Sequence, residues 1–323
     1  MASAFSPAWP MAYLKTFGPR ADPVTGLTWG LIVLSLAVIA IVTVLVVAGV
    51  AVRRQRAAAA GQVLAIGGEA GGQSWIWIGV ALTLIALVAS LVWTVAVMAE
   101  VGSPPTRPAL TLQITGHQWW WEVRYLSADP GQTFVTANEI HIPVGRPVLI
   151  KLNGADVIHS FWIPTLSGKT DTIPGRTNLT WMQADRPGIY RGQCTEYCGL
   201  QHAHMAAFVV AQPPAAFEAW RQAQLQPAAT PAGPTTVGEG LFVEHCGVCH
   251  TVRGGAAAGV AGPDLTHLMS RATLAAGTVP NTLSGLEGWI ANPQALKPGA
   301  RMPATDLSGP ELGQLTAYLE TLK

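Results

Sequence analysis

The stretch GQCTEYCGLQHAHM, residues Gly192–Met205, gathers two cysteines, two histidines, a glutamate and a methionine within fourteen residues. The two cysteines lie four residues apart, so that both thiolates can point at one centre on a turn. Thiolate and thioether sulfur combined with imidazole nitrogen select copper over hard cations, and a weak methionine ligand is typical of electron-transfer copper sites. Because a mononuclear blue-copper site uses one cysteine, the second cysteine predicts two copper ions bridged by two sulfurs.

The same cysteines admit two other interpretations. Zinc is the competing metal, although a structural zinc site does not usually recruit methionine. The second alternative is that both cysteine pairs of the chain form disulfides in an oxidising compartment. Each pair, however, is followed by a histidine at a spacing that suits a metal or a cofactor. The residue types therefore favour copper at this loop.

A second histidine ligand has to come from outside the loop, and the segment DVIHSFWIP supplies His159 in an apolar, strand-like run. A histidine in such a run is ordinarily a buried core residue, but the need of the loop for a partner favours ligation here. We expect His202 and Met205, which follow Cys198 by four and seven residues, to complete the site. His204 is expected to face away from His202. Three further histidines have no ligand context: His117, His141 and His267.

The segments before the loop have the pattern of short β-strands. The runs LTLQITGHQWWWEVRYL, TFVTANEIHIP and RPVLIKLNG are rich in β-branched and aromatic residues, and Pro, Gly, Asn and Asp interrupt them at short intervals. Such spacing predicts a β-sandwich or barrel.

A second cofactor motif, CGVCH, begins at Cys246 and contains Cys249 and His250. It is the attachment signature of c-type haem, with two thioether bonds and the histidine as an iron ligand, although redox and zinc sites share its C-x-x-C core. The Pro-flanked segment GARMPA makes Met302 the candidate for the other axial position. Met269 is the rival, but it lies on a predicted helix only nineteen residues after His250 and fits core packing better.

The residues around this motif predict a small helical domain. VGEGLFVEHCGVCH and SGPELGQLTAYLETLK have helical character, and a Gly- and Pro-rich stretch separates them. Ser308 and Glu311 at the start of the last helix form a capping-box signature.

The chain as a whole has 19 Lys and Arg against 18 Asp and Glu, so no basic surplus supports nucleic-acid binding.

Two apolar runs predict membrane-spanning helices. Half of the 323 residues are hydrophobic and 11% are charged, and no charged residue occurs between Leu27 and Val52 or between Ser74 and Ala99. Each run exceeds the ~20 residues that cross a hydrocarbon core. A buried core helix is the alternative interpretation. The arginines at 53, 54 and 56 are expected to lie in a cytoplasmic loop between the helices, which places both termini on the other, periplasmic side.

These patterns divide the chain into five parts. They are an N-terminal periplasmic segment (1–26), a transmembrane hairpin (27–100), a β-sandwich with the cysteine loop (101–212), a short helix with a Pro- and Ala-rich linker (213–236) and a cytochrome-like domain (237–323). Three prolines after the second apolar run mark the entrance to the sandwich.

In these motifs the chain resembles subunit II of the haem–copper cytochrome c oxidases, in the variety with a cytochrome c domain fused to its C-terminus. The matching segments, from about Leu27 onward, are GHQWWWE, VIHSFWIP, GKTDTIPGR, RPGIYRGQCTEYCGLQHAHM and CGVCH. The resemblance implies a cupredoxin-like sandwich, an all-α class I cytochrome c domain and a two-helix hairpin. It also implies a binuclear CuA centre held by six residues: His159, Cys194, Glu196 through its carbonyl oxygen, Cys198, His202 and Met205.

The resemblance further implies how the chain works with other subunits. Trp119 looks like the residue at which electrons are taken in, with Trp120 and Trp121 as its neighbours in the sandwich, although three tryptophans alone are more often core or interface anchors. The Glu196 carboxylate would reach a Mg or Mn ion shared with subunit I. Asp171 matches a position near that subunit, and a solvated loop aspartate is its other interpretation. The segment GPDL, residues 262–265, would lie against His250.

The expected function is electron input to a proton-pumping terminal oxidase of a bacterial inner membrane. Electrons would come from cytochrome c or a quinol–cytochrome c reductase, and oxygen would be reduced in subunit I, with subunit III also present. Gln73 stands where many relatives have an acidic residue before the second helix, with Glu69 nearby, so proton uptake through this subunit is in doubt. The rivals are a membrane-anchored electron shuttle without an enzyme partner, a nitrous oxide reductase, which requires a large catalytic domain, and a quinol oxidase subunit, which lacks copper ligands.

Overall fold

The computed structural model describes residues 11–60, 72–230, 232–233 and 235–323. It divides into two compact units. One consists of Pro23–Ser103, and the other combines Met1–Asp22 with Pro104–Lys323. The two chain segments that flank the helical unit therefore belong to one body.

The helical unit is a pair of long helices, α1 (Asp22–Ala60) and α2 (Gln73–Val101). Their apolar stretches cover 35 and 29 residues, or about 52 and 43 Å at the helical rise of ~1.5 Å per residue. Almost all of their side chains are exposed, which argues against the interpretation as buried core helices. Gly30 lets the Trp93 ring pack directly against α1. The arginines at 53, 54 and 56 were predicted to lie in a loop, and this placement is wrong, because α1 continues through them to Ala60.

The second unit contains a β-sandwich of two five-stranded sheets. The first sheet has the order β3-β2-β1-β5-β8, with the bounds Leu110–His117 (β1), Trp120–Leu126 (β2), Phe134–Ala137 (β3), Val148–Gly154 (β5) and Asn178–Met182 (β8). The second has the order β4-β10-β9-β6-β7, with the bounds Glu139–Pro143 (β4), His159–Trp162 (β6), Thr170–Thr172 (β7), Gly188–Cys194 (β9) and Ala206–Gln212 (β10).

Alternating burial along the strands builds the sandwich core. In β1, Leu112 and Ile114 are fully buried while their chain neighbours are half-buried, and β2 repeats the pattern with Trp121 and Val123. This two-residue period is that of a strand with one face on the core. Phe17, from the segment before α1, is also buried in this core.

Helix α3 (Pro214–Leu225) packs against β4 and β10 of the second sheet, and its Phe217 joins the sandwich core. The Trp220 ring stacks on His141 of β4, with centroids 4.0 Å apart and planes at 5°. This stack contributes to the burial of β4, all five residues of which are buried. The helix that the sequence grouped with the linker therefore packs on the sandwich. We call β1–β10 together with α3 the sandwich domain.

The helical domain follows and contains α4 (Thr235–His245), α5 (Leu283–Ala291), α6 (Pro293–Leu296) and α7 (Gly309–Leu319), with a small hairpin of β11 (Thr273–Leu274) and β12 (Val279–Pro280). Helices α4 and α7 pack closely because Gly238 has no side chain to meet the backbone of α7, and Phe242 rests on Tyr318. The predicted capping box is confirmed at Ser308 and Glu311. The predicted helix around Met269 is wrong, since only a single 3₁₀ turn forms there.

Candidate metal centre and haem site

Three predicted copper ligands converge in the sandwich domain. The ligand atoms of His159, Cys194 and Cys198 all lie within 4.8 Å of one another, and the three residues are buried. The Sγ atoms of the cysteines are 3.8 Å apart, whereas a disulfide requires about 2.05 Å. The geometry therefore supports metal ligation over the disulfide alternative.

Two strands and one loop bring these residues together. His159 opens β6 and Cys194 ends β9, and these antiparallel strands are neighbours, with Phe161 opposite Cys194. The loop after β9 returns Cys198 to the same point, and the Cys194 N–H donates to the Met205 carbonyl oxygen at 3.0 Å. The spacing in the sequence thus becomes one compact cluster.

The remaining donors of the loop surround the two sulfurs. His202 Nδ1 is 3.6 Å and Met205 Sδ is 3.9 Å from Cys198 Sγ. The Glu196 carbonyl oxygen is 3.3 Å from Cys194 Sγ. Thiolate, imidazole, thioether and carbonyl groups thus meet around one point, and this donor set fits a pair of coppers.

Asp156 orients the imidazole of His159, and the sequence did not single it out. Asp156 Oδ1 lies 2.9 Å from His159 Nε2, and His159 Nδ1 faces Cys194 Sγ at 4.0 Å. A carboxylate on the outer nitrogen is the usual device that fixes a metal-binding histidine. Burial acts to lower the pKa of His159, but hydrogen bonds to Cys194 and Asp156 outweigh it and raise the pKa.

The two thiols share a proton. Contact with Cys198, and then the hydrogen bond with His159, lower the pKa of Cys194 to about 4 against the opposing effect of burial. The pKa of Cys198 is raised, because its proton is held against the Cys194 thiolate and because it is buried. One sulfur is therefore already a thiolate at neutral pH, the form in which cysteine binds metals.

The haem motif lines a cavity of the helical domain. Cys246, His250 and Met302 are on its wall, and Cys249 lies one turn after Cys246, donating its N–H to the Cys246 carbonyl oxygen at 3.0 Å. His250 Nδ1 lies 2.8 Å from the Pro263 carbonyl oxygen, which leaves Nε2 for a ligand. Burial lowers the pKa of His250, so its ring stays neutral.

The GPDL segment lies against His250 as predicted. A Cβ atom on Gly262 would be 2.6 Å from His250 Cε1, so only glycine permits this contact. Met302 faces the cavity, whereas Met269 packs on the hydrophobic core and is not part of the cavity wall.

The cavity fits a haem in polarity as well as in ligands. Leu265, Leu268 and Ile290 form part of its apolar wall. Arg271 and His117 both line the cavity, and Arg271 Nε and His117 Nε2 are buried. Neither nitrogen has a hydrogen-bond partner among the described residues. A haem brings two propionate groups, which need such nitrogen partners when buried.

The three tryptophans have three different surroundings. Trp121 is fully buried in the sandwich core, edge-on to His159 and Phe161. Trp120 opens β2 of the sandwich, as predicted, and it also stacks on His117 and lines the haem cavity. Trp119 lines the same cavity, and its Nε1 donates to the Cys198 carbonyl oxygen at 3.0 Å. Trp119 therefore touches both candidate sites.

The other predicted residues lie outside these sites. Asp171 is half-buried in the edge strand β7 rather than in a loop. Gln73 opens α2 and is exposed, while Glu69 lies outside the described residues. His204 is exposed and bonds Gln201 Oε1 at 2.6 Å, in keeping with a residue that turns away from the cluster.

Sequence reasoning also missed Lys297, a buried lysine where the helical and sandwich domains meet. It is 3% exposed, and its ammonium group donates to three carbonyl oxygens, those of Trp119, His204 and Ala275. Burial lowers the pKa of Lys297 to about 7. No local pattern marks a lysine whose partners are backbone oxygens.

Comparison with known proteins gives two family matches. Residues 110–212 match the family described as cytochrome c oxidase subunit II, periplasmic domain. Residues 236–323 match the family described as cytochrome c.

Similar proteins carry the same description. Cytochrome c oxidase subunit 2 of Alkalihalophilus pseudofirmus is 39% identical over 215 residues, which cover 66% of this chain and 61% of that protein. Cytochrome c oxidase subunit 2 of Bacillus sp. strain PS3 is 30% identical over 266 residues, or 77% of this chain and 73% of that protein. The crystal structure of the periplasmic domain of subunit II of cytochrome oxidase from Bradyrhizobium japonicum is 32% identical, with a TM-score of 0.35 and coverage of 37% of this chain and 95% of that chain.

Proposed function

Because the chain belongs to the cytochrome c oxidase subunit II family and carries a cytochrome c domain, we propose that it is the electron-input subunit of a terminal oxidase. One observation carries this proposal: a cluster of copper-type donors and a haem-type cavity lie in one compact unit, and Trp119 touches both. Since one residue touches both sites, the two centres are close enough together to suit electron transfer between them.

In the proposed copper centre the chain supplies six donors. The coppers would be held by His159 and His202 through Nδ1, by the sulfurs of the cysteines at 194 and 198, by the Met205 thioether and by the Glu196 carbonyl oxygen. Two bridged coppers supply one-electron redox chemistry. Asp156 keeps the His159 ring in position, and burial of the cluster excludes water.

In the proposed haem site, Cys246 and Cys249 would form the thioether bonds, and His250 Nε2 and Met302 Sδ would hold the iron. The haem supplies a second one-electron centre, and a thioether ligand raises its potential. The Pro263 carbonyl oxygen fixes the His250 ring, and the apolar wall keeps the site dry.

The proposal assigns the oxygen chemistry to a different chain. Electrons arrive from cytochrome c or a quinol–cytochrome c reductase and leave for the haem–copper site of subunit I, where oxygen is reduced with proton pumping. Subunit III completes the complex, and the Glu196 side chain contributes to a Mg or Mn site shared with subunit I. The proposed domain boundaries are those predicted from the sequence, except that α3 is assigned to the sandwich domain.

The proposed location is a bacterial inner membrane. The helices α1 and α2 form the two spans, and lipid covers their exposed apolar side chains. The segment before α1 packs into the sandwich core through Phe17. This contact supports the proposal that the N-terminal segment, the sandwich domain and the helical domain all lie on the periplasmic side of the membrane.

A membrane-anchored electron shuttle without an enzyme partner is the remaining rival. Two spans exceed the one that an anchor requires, and membership of the subunit II family favours the complex. Isolation of the detergent-solubilised chain, followed by measurement of copper, covalent haem, accompanying subunits and oxygen uptake, decides between them. Copper and haem without partner subunits or oxygen uptake would identify the shuttle.

Two variants test the site assignments within the same preparation. Cys198→Ser is expected to abolish the near-infrared copper band and to leave the haem spectrum intact. Cys249→Ser is the reciprocal control, since it removes one haem attachment and leaves the copper donors in place. Persistence of the copper band in Cys198→Ser would refute the binuclear centre.

A further inference from the structure

A short segment of the helical domain lies directly on the sandwich domain beside the copper donors. We call residues 297–301 the docking loop. Its first residue, Lys297, donates hydrogen bonds to three carbonyl oxygens: Trp119 at 2.7 Å, His204 at 2.7 Å and Ala275 at 2.8 Å. Trp119 and His204 belong to the sandwich domain, and Ala275 belongs to the helical domain. One ammonium group therefore joins the two domains.

The three acceptors around Lys297 favour its charged form. An ammonium group has three donors and no acceptor, and the three carbonyl oxygens use all of them. Lys297 is almost completely buried. Loss of the cation would therefore leave these oxygens without a hydrogen-bond partner, and water could not easily take its place. A buried lysine is rarely tolerated unless its charge is satisfied in this way.

The other residues of the docking loop continue the contact. Gln201 of the copper loop donates from Nε2 to the Pro298 carbonyl oxygen at 2.8 Å. A Cβ atom on Gly299, whose φ is +83°, would be 3.2 Å from Leu200 Cδ2 and in ordinary contact with the Trp119 ring at 3.5 Å. Arg301 pairs with Asp156 at 3.4 Å, and Met302 is the next residue. The loop thus runs from the copper donors to the proposed iron ligand.

Contacts away from the docking loop hold the same arrangement. The Ala272 N–H donates to Glu139 Oε2 at 3.0 Å, and the Ala206 N–H donates to the Ala276 carbonyl oxygen at 3.0 Å. The start of the linker is fixed to the helical domain as well, because the Ala228 N–H donates to the Arg253 carbonyl oxygen at 2.9 Å. These bonds describe a docked pair of domains rather than a domain that moves freely on a tether.

We propose that Lys297 is a positioning residue that locks the helical domain onto the sandwich domain, so that electrons pass between the two centres within a standing docked state. This inference rests on the proposed function for its electron-transfer consequence. Trp119 is only 8% exposed in the docked state. An external donor protein therefore delivers its electron to the helical domain and does not touch Trp119.

The experiment uses the full-length chain loaded with copper and haem. Lys297→Met removes the charge and nearly keeps the length, Lys297→Arg keeps the charge, and Lys169→Met is the matched control at an exposed lysine of the sandwich domain. Hydrogen exchange at the Ala206 and Ala272 amides reports docking directly. Electron transfer from photoreduced haem to copper reports its consequence.

Lys297→Met is expected to exchange at both amides at least about tenfold faster than wild type, the effect of losing a charge-assisted hydrogen bond. Transfer from haem to copper should slow by a similar factor. Lys297→Arg should restore part of both, and Lys169→Met should match wild type. Unchanged exchange and transfer in Lys297→Met, with copper and haem in place, would overturn the lock.

Two further outcomes separate this inference from the proposed function. A wild-type chain that takes up neither copper nor haem contradicts the proposed function, while slow exchange at the two amides still supports the lock. Should Lys297→Met fail to accumulate, the wild-type exchange decides by itself. Ala206 and Ala272 amides that exchange as fast as the exposed amide of Ala229 in the linker would refute a standing docked state.

Discussion

Replacement of Gly116 by alanine tests how tightly the fold holds one copper ligand. Gly116 is a buried residue of β1, paired with Trp121 on one side and Gly154 on the other. A Cβ atom there would lie 2.8 Å from His159 Cδ2 and 3.0 Å from Cγ. Carbon atoms in contact prefer about 3.5–4.0 Å, so the ring would have to move by roughly 0.7 Å or more.

The ring has little freedom to move by that amount. Asp156 holds Nε2, and the Trp121 ring lies edge-on to the imidazole. Overpacking of this kind costs about 1–3 kcal/mol in the free energy of unfolding. Displacement of a metal-binding histidine from its orientation typically lowers metal affinity about 10–100-fold. We expect Gly116→Ala to fold, to retain its haem and to bind copper that much more weakly.

Competition with a copper chelator measures the affinity, and the near-infrared band reports the geometry of the site. Gly168→Ala is the matched control, because Gly168 is in the same domain and a Cβ atom there would have no neighbour within 4 Å. Wild-type copper affinity and an unaltered band in Gly116→Ala would show that the His159 ring is not confined as the structure indicates.

Other perturbations address the haem domain and the titration of the copper site. Met302→Leu removes the proposed axial thioether and is expected to lower the haem potential, measured by redox titration, whereas Met269→Leu should leave it unchanged; the opposite result would exchange their roles. Ser308→Ala removes the helix cap of α7 and should lower the melting temperature of the helical domain by about 4–8 °C without changing its haem spectrum. Copper affinity is expected to fall as the pH drops through the raised pKa of His159, because a protonated ring cannot bind metal. In Asp156→Asn that fall should occur at lower pH, since the variant loses one of the contacts that raise the pKa; an unshifted pH profile would contradict the role of Asp156.

The donors of the copper site could be predicted because their chemistry is local. Five of the six lie in one fourteen-residue stretch, and only His159 had to be sought elsewhere. The sandwich, the two apolar helices and the helical domain were likewise readable from residue periodicity and are confirmed. The individual ligand assignments stay predictions, which the convergence of the donor atoms supports.

The residues that the sequence did not reveal act through backbone groups or distant partners. Lys297 lies 178 positions from Trp119 and bonds its carbonyl oxygen, an acceptor that every residue has. Helix α3 was predicted as a short amphipathic helix and grouped with the linker, because no local pattern reveals that Trp220 finds a stacking partner in His141. The end of α1 was misplaced since arginines at a membrane boundary do not prevent a helix from continuing.

The burial of Trp119 beneath the docking loop separates two kinds of selection on this protein. The chain's own helical domain already covers the surface of the sandwich domain beside the proposed copper donors. If the proposed function holds, recognition of a donor protein falls to the outer surface of the helical domain. Under the same proposal, that surface is free to diversify with its partners, while the loop Gly192–Met205 and Trp119 are constrained by the docked helical domain.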